Sequence, residues 1–110
     1  MADFLVAHGY ALIGRNVRVG ALELDLVAQK GDLVAVVEVR TRGPGSYASA
    51  LASVDATKRA SLVRAAHRYW REHLAKRPDV ARLRFDVAAV AFEADSSGAS
   101  VEYIEAAFTA

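Results

Sequence analysis

Three carboxylates and a guanidinium, Glu23, Asp25, Glu38 and Arg40, stand in two otherwise apolar runs at residues 22–28 and 33–40. Strand interiors rarely carry that much charge, so these four groups are the first candidates for chemistry. Read as antiparallel strands around a Gln29-Lys30-Gly31-Asp32 turn, residues 22, 24, 26, 28 and 33, 35, 37, 39 form one apolar face. The acids fall on the other face. The apolar match predicts a register with Glu23 opposite Glu38 and Asp25 diagonal to it, so that three acids share one patch. Like charges placed opposite each other repel, and a divalent cation is one agent that offsets this. Hard ions such as Mg2+ use one or two protein carboxylates and complete their shell with water and substrate phosphate. Arg40 points the same way as Glu38, where it either meets a phosphate or neutralises the acids. The alternative is a solvated face whose acids pair with nearby arginines. Val27, Val34 and Val36 share the acidic face, so its turn-proximal half is expected to be covered while its far half opens into a cleft.

The elements that position these groups follow from periodicity. A helix end at 2–8 closes at Gly9, and strands are expected at about 11–18, 21–29 and 33–41. The loop Arg42-Gly43-Pro44-Gly45-Ser46-Tyr47 leads to a helix of about 55–75, with Ser53 or Asp55 as N-cap and Pro78 beyond its end. Strands at about 82–92 and 100–105 flank Asp95-Ser96-Ser97-Gly98. The order α-β-β-β-α-β-β predicts an α/β domain, a mixed sheet flanked by helices, with the long helix as crossover. No repeat or linker divides the 110 residues, so one domain is expected over 1–110.

On the long helix, steps of 100° place Leu62, Val63, Ala66, Tyr69, Trp70 and Leu74 in one apolar arc, with Arg64, Arg68 and Arg71 opposite. Tyr69 and Trp70 therefore read as core residues before base-stacking platforms. Net charge is only +1, but residues 55–77 carry seven basic against two acidic side chains, +5, leaving −4 elsewhere. That local basic surface is where a phosphate backbone would lie, with Arg15, Arg18 and Arg42 as candidates for the cleft mouth. An ordinary solvated helix face is the competing reading of the arginine stripe.

Several chemistries are excluded. No cysteine is present, which removes thiol catalysis, disulfides and cysteine-ligated zinc. His8, His67 and His73 cannot form a shared helical ligand pair. There is no Gly-x-Ser-x-Gly elbow and no glycine fingerprint for nucleotides. No apolar run is long enough for a membrane span and no leader is evident, so a cytoplasmic protein is expected. Asp86, after Phe85, reads as a strand-end carboxylate paired with Arg82 or Arg84, ahead of the alternative that it supports the residues holding the metal.

Asp25, a spacer, then Glu38-x-basic resembles the metal-dependent core of the restriction-endonuclease-like superfamily, whose signature ends in Asp/Glu-x-Lys. The blocks Gly9–Asn16, Glu23–Ala28, Val37–Arg42, Ala50–Lys58 and Arg84–Val90 resemble, in order, those of the YraN family, uncharacterised bacterial proteins similar in fold to archaeal Holliday-junction resolvases. The resemblance covers nearly the whole chain. It departs at Arg40, where the signature has lysine, and at the start, where Met1–Leu5 match only the end of the family's first helix, so that helix is expected to be truncated. The resemblance implies a restriction-endonuclease-like fold, nucleic-acid binding and endonuclease chemistry without naming a known substrate; branched or otherwise non-duplex DNA, ahead of RNA, is the expected one. The resemblance further implies Mg2+ or Mn2+ held by Asp25 and Glu38, with Glu23 assisting and the Val39 carbonyl as a further ligand, and Arg40 stabilising transition-state charge. A catalytically silent nucleic-acid or protein-binding module on the same fold is the alternative. No membrane partner is expected, and a homodimer is left open.

Overall fold

The computed structural model describes residues 1–42, 52, 54–92 and 99–108. Its elements run α1 (Ala2–Ala7), β1 (Ala11–Val19), β2 (Leu22–Lys30), β3 (Leu33–Arg42), α2 (Ala56–Tyr69), a π-helical turn Trp70–Leu74, β4 (Arg82–Phe92) and β5 (Ala99–Phe108). The strands form one sheet in the order β1-β2-β3-β4-β5, antiparallel except for the parallel pair β3 and β4. A parallel pair needs a long crossover, and α2 supplies it. The α-β-β-β-α-β-β order and the mixed sheet agree with the expected fold class. The loop at 43–47, Ser53 and the turn at 95–98 lie outside the described residues.

Both faces of the sheet are covered, which explains why β2 and β3 are apolar almost throughout. On one side Val27, Val34, Val36, Phe85 and Val87 pack against Leu62, Ala66, Tyr69 and Leu74. On the other, Leu26, Ala28, Ala35, Val37 and Ala88 pack against Leu5 and Tyr10. Helix α2 buries Leu62, Ala65, Ala66 and Tyr69, the i, i+3, i+4, i+7 pattern of an amphipathic helix. Asp55 caps it by accepting the Lys58 backbone N–H at 2.8 Å. Beyond Tyr69 the helix widens, Ala75 N–H donating to the Trp70 carbonyl at 2.8 Å, and this turn buries Leu74. Truncating Leu62 or Leu74 to alanine would cost about 2–5 kcal/mol, so α2 is firmly seated.

The β2–β3 register differs from the expected one by two residues. Lys30 pairs with Leu33 and Leu26 with Val37, so the turn is Gly31-Asp32 alone. Gly31 has φ 60°, the conformation a two-residue hairpin needs at its first central position and one that glycine adopts without strain. A shift of two by itself moves no side chain to the other face, because alternation has period two. What changes is the partner: continued past Leu26, this register sets Asp25, not Glu23, level with Glu38.

The apolar face expected at 22, 24, 26 and 28 is also divided. Leu24 is buried on the α2 side with Leu22 packed beside it, whereas Leu26 and Ala28 face α1. The change of face falls at Asp25. Across β1, the pairs Arg15–Leu26 and Val17–Leu24 bracket Asn16, which has φ 50°. Asparagine tolerates this left-handed conformation better than other non-glycine residues. The kink turns the end of β2 out of register with β3. Finally, β5 continues to Phe108 rather than ending near 105, because a bulge around Ala106 (φ 49°) lets Phe108 pair again with Phe85.

Candidate active site

Asp25 sits where β2 and β3 part company. The ladder between them ends at Leu26–Val37, and the next strand N–H of β3 to need a partner, that of Val39, donates to Asp25 Oδ2 at 2.8 Å. The carboxylate thus replaces a missing ladder acceptor and is locked in orientation. Beside it is Glu38, only 5% exposed. Burial first, and then the neighbouring Asp25 carboxylate, push the Glu38 carboxyl above its ordinary value, against the opposing pull of Lys58 and Arg40.

Two cations approach one oxygen of Glu38. Arg40 Nε lies 3.6 Å and Lys58 Nζ 3.8 Å from Oε1, ion-pair distances too long for hydrogen bonds. The other oxygen, Oε2, is buried and has no hydrogen-bond partner among the described residues, and the same holds for Arg40 Nε. An unsatisfied buried polar atom costs about 1–3 kcal/mol, an expense explained if a ligand completes it.

The donor set fits a hard cation that uses two protein carboxylates and keeps several waters. The orphaned Oε2 of Glu38 is the structural observation in favour. Glu23 does not complete a triad: it is exposed, it pairs with Arg18 across β1 and β2, and no set of three His, Cys, Asp or Glu side chains converges among the described residues. Val39 contributes its N–H to Asp25, and its side chain packs on the α1-side core. Lys58 joins the site from a different element, and strand spacing gives no sign of it. Asn16 is a further residue that the strand pattern passes over, although an asparagine inside a strand is itself a signal.

The basic residues divide into two places. Arg15, with Asn16, Met1 and Ala2, lines a cleft of about 280 Å³ that opens on Asp25 and Val39. Arg18 is exposed opposite Glu23, and the side chain of Arg42 lies outside the described residues. Arg64 and Arg68 border a groove of about 410 Å³ between α2 and the β1–β2 turn, with Val19, Ala21 and Leu22 on its far wall. Arg68 is held by Glu72 at 2.9 Å and Arg64 donates to Ser61 at 3.2 Å. Arg71 is exposed but does not line that groove. Tyr69 is buried and Trp70 packs against the α2-side core, as core residues do.

Asp86 pairs with Arg84, one of the two partners expected, but it is fully buried in mid-strand rather than at a strand end. Its Oδ1 accepts from Arg84 Nε and Ala106 N, and its Oδ2 from Arg84 Nη2 and the Tyr103 hydroxyl. Arg84 also donates to the Tyr10 hydroxyl at 2.6 Å. With both oxygens satisfied, this network serves to tie α1's exit, β4 and the β5 bulge together.

Fold and site together define a mixed α/β domain with a carboxylate pair at a strand divergence, flanked by basic grooves. Residues 1–90 match the sequence model of the uncharacterised protein family UPF0102. A UPF0102 protein of Sorangium cellulosum is 51% identical over 104 residues, covering 94% of this chain and 72% of that protein. Relatives from a Synechococcus strain and from Dictyoglomus thermophilum are 38% and 32% identical, each covering 96% of this chain and 81% and 87% of their own lengths. The chain belongs to this family, which is the YraN family that its sequence blocks resemble. No helix among the described residues is long and apolar enough to cross a membrane.

Proposed function

We propose that this protein binds DNA, branched or otherwise non-duplex, and hydrolyses a phosphodiester at the Asp25–Glu38 site with Mg2+ or Mn2+. The observation that carries the reading is the pairing of a backbone-locked Asp25 with a buried Glu38 whose Oε2 has no partner among the described residues. The substrate class rests on the family's resemblance to Holliday-junction resolvases. An ion held by Asp25, Glu38 and the Val39 carbonyl would polarise the phosphate as a Lewis acid. The protein's own part is positional and electrostatic. Asp25 cannot rotate away from the cleft while it holds the Val39 N–H. Arg40 balances the buried Glu38 charge and stabilises negative charge as it builds on the phosphate. Arg15 at the cleft and Arg64 and Arg68 at the α2 groove follow the backbone phosphates, with Arg18, Arg42 and Arg71 as further candidates. In the reaction a water oxygen bonds to phosphorus and one P–O ester bond breaks. The water's proton passes to solvent, and the departing alkoxide takes one back.

A second reading, a silent binding module, is favoured by two observations: arginine in place of lysine at position 40, and no third carboxylate beside Asp25 and Glu38 among the described residues. An arginine is a poor general base because it stays protonated. The deciding assay incubates the parent protein and Glu38→Ala with single-stranded, duplex and four-way-junction DNA, in Mg2+, Mn2+ or EDTA. Cutting by the parent that requires metal and disappears in Glu38→Ala is the expected result. DNA retained but uncut under every condition would instead assign the silent module.

A further inference from the structure

Behind its Asp55 cap, helix α2 carries a cation in the first turn, where the helix dipole favours an anion. Its first turn contains no acidic residue but holds Lys58, a placement that works against the positive end of the dipole. The lysine is nonetheless firmly placed. Asp55 accepts its backbone N–H at 2.8 Å, and its side chain, 32% exposed, brings Nζ to 3.8 Å from Glu38 Oε1. At that distance the ammonium neutralises Glu38 without donating a hydrogen bond to it. Arg40 reaches the same oxygen from β3, but its Nε is buried. Two cations therefore serve one carboxylate, and they differ in kind. The guanidinium is a planar group on the same strand as Glu38 with one nitrogen enclosed. The lysine is a compact charge with three donors on a flexible stem that reaches solvent. The second oxygen of Glu38, buried and without a partner among the described residues, marks the side on which a ligand would sit.

We infer that Lys58 is a catalytic residue of this site, its ammonium donating to a non-bridging oxygen of the scissile phosphate. The inference rests on the phosphodiesterase reading of the Asp25–Glu38 pair and adds to it a residue from a different element. Lys58 stays protonated throughout, so the bonds made and broken are those of the hydrolysis already described. Its contribution is greatest as negative charge builds on the phosphate, because preorganised donors stabilise that charge without reorganising.

The test compares the parent with Lys58→Met, Lys58→Arg and Lys76→Met, an exposed lysine beyond α2, in two measurements. In Mn2+-dependent cutting of a four-way junction, Lys58→Met is expected to be roughly 100-fold slower. Lys58→Arg should recover part of the loss, and calorimetric Mn2+ affinity should not fall, since both carboxylates remain. In calorimetric binding of thymidine 3′,5′-bisphosphate with Ca2+, Lys58→Met should bind about tenfold more weakly while Lys76→Met matches the parent. Lys58-dependent bisphosphate binding in a parent that cuts no DNA would uphold the phosphate contact and contradict the nuclease reading instead. Equal bisphosphate affinity in parent and Lys58→Met, or loss of Mn2+ affinity along with cutting, would confine Lys58 to neutralising Glu38 and overturn the inference.

Discussion

Asp25 Oδ2 accepts the backbone N–H of Val39 at 2.8 Å, so a side chain from β2 takes over where the β2 backbone leaves the ladder. Asp25→Ala leaves that N–H without its acceptor and is expected to cost about 1–2 kcal/mol in urea denaturation. Asp25→Asn keeps an oxygen acceptor and sheds a charge facing Glu38, so it should be as stable as the parent or more so.

Glu38 gives the protein a pH dependence of defined sign. Its folded carboxyl titrates above the ordinary value of 4.5, with burial the first cause and Asp25 the second. Between the two values the folded state holds a proton that the unfolded state has lost, so stability from this group falls as pH rises through that window. Glu38→Gln removes the effect and should be more stable than the parent at pH 7 by about 1 kcal/mol. The gain should shrink toward pH 4. Thermal unfolding of both proteins from pH 4 to 8 checks the slope.

The buried Arg84–Asp86–Tyr103 network is expected to matter for folding rather than for binding. Asp86→Ala leaves the Arg84 charge, among the described residues, only the 3.8 Å pair with exposed Glu105 and leaves the Ala106 N–H without its acceptor, and should cost about 3–5 kcal/mol. Tyr103→Phe removes one hydrogen bond and should cost about 1–2 kcal/mol. Burial first, then the bond to Asp86, hold the Tyr103 proton well above its ordinary value, so no titration of this group should appear near neutrality. Urea midpoints of the two variants at neutral pH provide the comparison.

Much of the architecture is legible in the sequence because it rests on periodicity. Leu62, Ala66 and Tyr69 fall on one helical face in any reading, and the runs at 22–28 and 33–40 can hardly be other than strands. The hairpin register is not legible, since a turn centred before Gly31 and one centred after it both keep the apolar residues on their faces. That two-residue difference exchanges Glu23 for Asp25 as the neighbour of Glu38. The face change at Asp25 depends on the backbone of Asn16 on a neighbouring strand, and the approach of Lys58 depends on how α2 is capped. Meetings of distant elements leave no mark in local spacing, which is also why the joining of Tyr10, Arg84, Asp86 and Tyr103 emerges only from the fold.

The groove between α2 and the β1–β2 turn makes a prediction about salt. Replacing Arg64 and Arg68 by alanine should weaken DNA binding and reduce the slope of log affinity against log salt by about 0.7–0.9 for each phosphate left without its arginine. Arg68 must leave Glu72 to reach a phosphate, so Arg64→Ala should have the larger effect. Arg71, outside the groove lining, should have the smallest. Fluorescence titrations across salt concentrations give the slopes. Unchanged slopes for the α2 variants, with a weaker slope in Arg15→Ala instead, would move the phosphate to the cleft beside Asp25.

Joint binding of a divalent ion by Asp25 and Glu38 is tested most directly by calorimetric titration with Mn2+, which assumes nothing about substrate. The parent should bind, and Asp25→Asn combined with Glu38→Gln should abolish binding while leaving the protein folded, since the pair of amides keeps the shape and relieves the repulsion. Equal Mn2+ affinity in the parent and the folded double variant would contradict a metal site at this pair.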